Sequence, residues 1–200
     1  MIAVIRSFAM AVIALTALGS LQQAIGAEEA DDSCTPEAVA SRKQRAGAGD
    51  VKAMYWLGTG FDIGTCGTVD KREAWKLLTS AAGREFPPAI HALGVIRRRD
   101  GEPREAIGYF KRSANLGYQL GFVDAGFTYA ERGKAHDAAA AHASLSIAIA
   151  REQEATLREF LERTRERTAA EMTPADLQRA RDMATDLARR YESVAKWTDD

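Results

Sequence analysis

The sequence predicts an all-α protein: an α-solenoid of about three antiparallel helix hairpins with capping helices at both ends. Three observations carry that prediction. The segments 53–86, 89–118 and 121–150 line up with one another as repeats. Each opens with an apolar helical run that carries a glycine, at Gly58, Gly94 and Gly126. The alanines Ala74, Ala106 and Ala138 follow on the second helices at intervals of 32 residues. A glycine inside a helix costs about 1 kcal/mol relative to alanine, so three in matching places require a compensating role. A missing side chain lets two antiparallel helices approach closely, with alanine on the facing helix. Paired helices at a period in the thirties describe a solenoid, in which each hairpin buries its apolar face on its neighbours.

From the start of the chain, residues 1–27 form their own unit. One positive charge at Arg6 precedes an apolar run from Phe8 to about Leu21, and small residues at Ala24, Gly26 and Ala27 close it. That is the layout of a cleavable secretory signal. Gln22 and Gln23 cut the run short of the ~20 residues of a spanning helix. The expected destination is the periplasm or the exterior, with no membrane attachment after cleavage. Residues 28–49 supply an N-terminal segment and a capping helix, in which Thr35-Pro36 is a start signal and Gly47 and Gly49 a stop. Residues 50–150 hold the three repeats and 151–200 the C-terminal capping helices.

The hairpin helices are expected over 51–62 and 71–82, 87–99 and 103–115, then 119–131 and 135–150. Pro87-Pro88 and Pro103 mark helix starts. A charged helix over 153–170 follows, with no glycine to separate it from the preceding one, so the boundary is either a kink or a break. Thr173-Pro174 opens the last helix, along which Leu177, Ala180, Ala184, Leu187, Tyr191 and Val194 form one narrow apolar stripe. The stripe covers the exposed end of the stack or, alternatively, joins two copies as a homodimer.

The glycine-rich stretch "GTGFDIGTCGTV" reads as the turn between the helices of the first hairpin, its glycines supplying positive φ. A phosphate-cradling loop would need a preceding strand and a GK[ST] or GxGxxG at the helix start, and neither is present.

The first repeat, "GDVKAMYWLG…GTVDKREAWKLLTSAAG", resembles a Sel-like repeat, a relative of the tetratricopeptide repeat. Ala53, Leu57-Gly58, Gly64, Val69-Asp70, Ala74-Trp75, Ala81-Ala82 and Gly83 fall on that family's pattern. The second and third repeats lack the four-residue insert of the first and are similar to ordinary tetratricopeptide repeats through Leu93-Gly94, Ala106, Phe110 and Tyr129. The segment from Ala141 to Tyr191 is similar to the tail of many bacterial Sel-like proteins. What the resemblance implies is a protein- or peptide-binding scaffold without catalysis, working through a concave face lined by the first helices. By analogy with tetratricopeptide grooves, the candidate contacts are Lys52, Tyr55 and Asp62, then His91, Arg98 and Arg99, then Phe127 and Glu131. The basic group of His91, Arg98 and Arg99 would suit a carboxylate.

Hairpin geometry places the start of the capping helix at the same end of the stack as the first hairpin's turn, which sets Cys34 beside Cys66. A disulfide is expected, since an oxidising compartment favours pairing, and it would contribute roughly 3–4 kcal/mol through the chain entropy of the closed loop.

Chemistry is sparse. His91, His136 and His142 have no His or Cys at metal-ligand spacing, so neither metal nor cofactor is expected. Ser193 and Lys196 match S-x-x-K without its companion motifs. The formal net charge of −1 leaves no basic excess for nucleic acid. The rival reading is a cell-wall-related or β-lactam-interacting enzyme, as associated with cysteine-rich Sel-like proteins. Those carry a cysteine pair in every repeat, and the second and third repeats here carry none.

Overall fold

The computed structural model describes residues 34–65, 67–192, 194 and 197. The expected signal, Cys66, Ser193 and Lys196 lie outside them. The described residues fold into nine α-helices and no strand: α1 (Pro36–Gly47), α2 (Val51–Ile63), α3 (Lys71–Gly83), α4 (Pro87–Arg99), α5 (Pro103–Asn115), α6 (Gln119–Ala130), α7 (Ala138–Arg151), α8 (Ala155–Ala169) and α9 (Pro174–Tyr191). Each start has a local cause. Thr35, Asp50, Asp70, Asp137, Glu154 and Thr173 each accept a hydrogen bond from a first-turn N–H, relieving groups that have no partner inside the helix. Proline in the first turn of α1, α4, α5 and α9 presets the backbone.

Pairs α2/α3, α4/α5 and α6/α7 are hairpins, stacked in chain order. Gly58 and Gly60 lie inside α2 and not in the turn that follows it, where Gly64 and Gly67 take the positive φ. The glycines of the first helices explain how each pair closes. A Cβ on Gly58 would stand 2.7 Å from Cγ of Leu78, one on Gly94 2.6 Å from the Phe110 ring, and one on Gly126 2.7 Å from Cγ of Leu145. Leu78, Phe110 and Leu145 are fully buried and press onto the bare backbone of the first helix. A second contact repeats beside it. The N–H of the residue before each second helix donates to the carbonyl three positions beyond the glycine: Asp70 to Phe61 (2.9 Å), Glu102 to Arg97 (2.9 Å) and Asp137 to Tyr129 (3.0 Å).

These equivalences correct the alignment of the third repeat. Ala74 and Ala106 each sit four residues before the side chain that covers the glycine; in the third hairpin that position is Ala141, not Ala138. Counted from the glycine of the first helix, α7 begins three residues later than α5 does, at Ala138 and not at 135. The run of alanines at 138–141 hides the register, because every frame offers an alanine.

The first helices of neighbouring hairpins touch, α2 with α4 and α4 with α6, whereas the second helices approach one another less. The stack therefore curves with α2, α4 and α6 on its inner side. Between units α6 approaches α5 closely at Gly121, where a Cβ would meet the Phe110 carbonyl oxygen at 2.5 Å. Arginines reinforce the seams: Arg112 donates to the Ala82 carbonyl at 2.9 Å and Arg104 to that of Lys134 at 3.0 Å.

α1 packs on α2 as a half-unit, and its buried Arg42 stacks with its guanidinium carbon 3.5 Å from the centre of the Trp56 ring. α7 and α8 are separate helices. Glu152 turns extended (φ −79°, ψ 132°), its carboxylate accepts from the N–H groups of Gln153 and Glu154, and Glu154 then caps α8. Acidic side chains thus do here what a glycine commonly does. α8 and α9 pack on two sides of α7. The stripe of α9 is turned inward, with Ala180 and Tyr191 buried and Leu187 against the core of the third hairpin. No described helix is long and apolar enough to cross a membrane.

Candidate functional site on the inner face

The inner face is bound together by ion pairs that run from one first helix to the next. Arg99 at the end of α4 grips Asp62 of α2 with two hydrogen bonds, of 2.7 and 2.6 Å, while Lys71 Nζ reaches the same carboxylate at 3.0 Å. Arg99 and Lys71 hold the Asp62 carboxyl below its ordinary value, the Arg99 bond most of all, against an opposing effect of burial. One unit further along, Asp124 of α6 accepts or shares a hydrogen bond with His91 Nε2 at 2.6 Å and lies 3.5 Å from Arg98. The carboxylate expected for the basic group of α4 is therefore already supplied from within the chain, by Asp62 and Asp124.

Beyond that ladder lies an open cleft of about 260 Å³, lined by Arg98, Phe127, Ala130, Glu131, Phe160 and Arg167. α4 and α6 contribute the C-terminal ends of their inner faces, and α8 adds a wall where a fourth first helix would stand. The Phe127 and Phe160 rings lie 5.6 Å apart, and Phe160 keeps 49% of its surface exposed. Arg167, exposed at the rim, makes no ion pair among the described residues.

Of the groove residues expected from sequence, Arg98, Phe127 and Glu131 meet in this cleft. Asp62, Arg99 and His91 belong to the ladder. Tyr55 packs edge-on against Phe86, with centroids 5.7 Å apart, and Lys52 is exposed on the first turn of α2 outside the cleft. Asp124, Phe160 and Arg167 were not legible as site residues. Asp124 did leave a signal: it is the single charge in the otherwise neutral helix "QLGFVDAGFTYA". Phe160 and Arg167 sit in a charged helix whose docking onto α7 nothing local announces.

Among the described residues no group of three or more His, Cys, Asp or Glu side chains is placed to hold a metal ion. Cys34 is not a free thiol, and its Sγ lies 3.6 Å from the carbonyl oxygen of Thr65.

No protein-family model matches this chain, and no curated protein matches it by sequence. Among solved structures it is similar to the crystal structure of c5321, a protective antigen present in uropathogenic Escherichia coli strains displaying an SLR fold. The two are 17% identical with a TM-score of 0.39, over 82% of this chain and 44% of that one. This chain thus spans less than half the length of that protein.

Proposed function

We propose that this chain is an exported, non-catalytic scaffold that binds a peptide segment of another protein in the inner-face cleft. The cleft itself carries the reading. Phe160 stands open to solvent beside the half-buried Phe127, and Arg98 and Arg167 flank the pair. At about 260 Å³ the space falls below the ~300–1,000 Å³ of small-molecule and cofactor sites and suits one or two side chains of a peptide. An apolar residue between the rings, with a carboxylate on Arg167, is the expected ligand chemistry. Export is supported by the layout of residues 1–27 and by the proposed Cys34–Cys66 bond, since Thr65, in contact with Cys34, is the immediate neighbour of Cys66.

Affinity capture from a periplasmic extract tests the proposal with three baits: the parent, a Phe160→Asp/Arg167→Glu cleft variant, and Lys76→Glu on the exposed face of α3. A partner held by the parent and by the Lys76 variant, and lost from the cleft variant, is the expected result. The same partners on all three baits would refute the cleft as the binding site.

A further inference from the structure

At the other end of the first helices the chain departs from its own capping rule. α4 and α6 begin on Phe86 and Tyr118, neither of which can cap with its side chain. Aromatic residues are poor at this position, where oxygen-bearing side chains are preferred. The two stand 32 positions apart with the same local backbone (φ −76°, ψ 106° and φ −78°, ψ 107°), so consecutive units present a ring at the same place. Tyr55 packs behind Phe86, and His91 lies behind Tyr118 at 5.3 Å.

Trp197 sits between the two rings. Its indole meets Phe86 at 5.7 Å and Tyr118 at 5.4 Å, edge to face with both (81° and 79°), the geometry favoured by aromatic quadrupoles. Its backbone N–H donates to the Gly117 carbonyl at 3.1 Å. Arg151 draws the chain in this direction by donating to the carbonyls of Tyr191 (2.8 Å) and Val194 (3.2 Å). Two aromatic walls from different units and one main-chain acceptor form a receptor for a single indole and the backbone N–H of the residue that carries it.

We propose that the slot between Phe86 and Tyr118 is a binding site for a tryptophan side chain of a peptide, held in this chain by its own Trp197, and that a tryptophan-bearing segment of a partner takes the site by displacing it. The occupant in place defines the ligand chemistry. A tethered ligand acts at an effective concentration on the order of millimolar, so an added peptide must compete with it, and its apparent affinity rises once the tether is removed. The slot is independent of the Phe127–Phe160 cleft, which lies at the opposite ends of the same helices.

The test uses a fluorescent peptide of residues 192–200 and its Trp197→Ala counterpart, titrated by anisotropy. The proteins are the full chain, a chain ending at Val194, and the latter with Tyr118→Ala. The expected result is binding to the shortened chain about tenfold or more tighter than to the full chain. That binding is lost with the alanine peptide and with Tyr118→Ala. Full-length Trp197→Ala serves in place of the shortened chain if circular dichroism shows that the latter does not fold. A folded recipient that ignores the peptide, or takes both peptides equally, overturns the proposal. Phe160→Asp leaves this titration unchanged, so a failed cleft and a failed slot are told apart.

Discussion

Asp62 shows how a single side chain can belong to the architecture when the sequence suggests a ligand contact. Arg99 was legible as a basic residue on the inner face, but the carboxylate that meets it lies 37 positions earlier and one helix away. Arg99→Leu leaves Asp62 with Lys71 alone and is expected to cost about 1.5–3 kcal/mol in urea unfolding, the range for hydrogen bonds to charged groups. The sign of the pH effect follows from the lowered carboxyl: the stabilisation is full above the ordinary value of 3.8 and is lost as pH falls through the folded value. The Arg99→Leu variant should therefore show a shallower decline of stability in that acid range. His142 acts at milder pH. Burial first, then Arg165 of α8 and Arg181 of α9, hold it below its ordinary 6.5. The folded state resists its protonation, so stability is full above 6.5 and falls as pH drops through the folded value. His142→Gln should flatten unfolding free energies measured between neutral pH and pH 5, and an unchanged slope would exclude this role.

Elements were legible where local chemistry marks them. Asp50, Asp70 and Thr173 announce helix starts, and the proline-led starts of α4 and α5 fall where sequence places them. The third hairpin was misregistered because composition there is uniform. The cap Asp137, a local signal, and the covering residue Leu145, which only the partner helix reveals, fix the register. Ala141 and Ala138 test it directly. Ala141 is fully buried in the hairpin contact, and Ala141→Leu should destabilise by about 1–3 kcal/mol through overpacking. Ala138→Leu, on the partly open first turn of α7, should stay within about 0.5 kcal/mol. Equal effects at the two positions would restore the uncorrected alignment. The division between α7 and α8 was undecided from sequence, since the carboxylates of Glu152 and Glu154 that end one helix and start the next resemble any other surface acids.

At the scale of the whole molecule, the repeat of a bare glycine was the most informative feature of the sequence. It identified the hairpin partners, the stacking order and hence the face on which first helices gather. What lies across the stack was not legible: the Asp62–Arg99 and His91–Asp124 bonds of the ladder, the Phe127–Phe160 contact of the cleft and the return of Trp197 to Phe86 each join residues at least 33 positions apart. Such contacts exist only once the curvature set by the hairpins brings their elements together.

Equilibrium urea unfolding of four glycine-to-alanine variants probes whether the hairpins close on their bare glycines. Gly58→Ala, Gly94→Ala and Gly126→Ala each drive a methyl into Leu78, Phe110 or Leu145, and overpacking of about 1–3 kcal/mol exceeds the ~1 kcal/mol gained in helix propensity. Gly108→Ala, on the exposed side of α5 with nothing within 4 Å of the added carbon, keeps the gain alone. Three losses of stability and one increase of about 1 kcal/mol are expected. Stabilisation by all four alanines would contradict that closure, because the first and second helices would then not be in contact at the glycines.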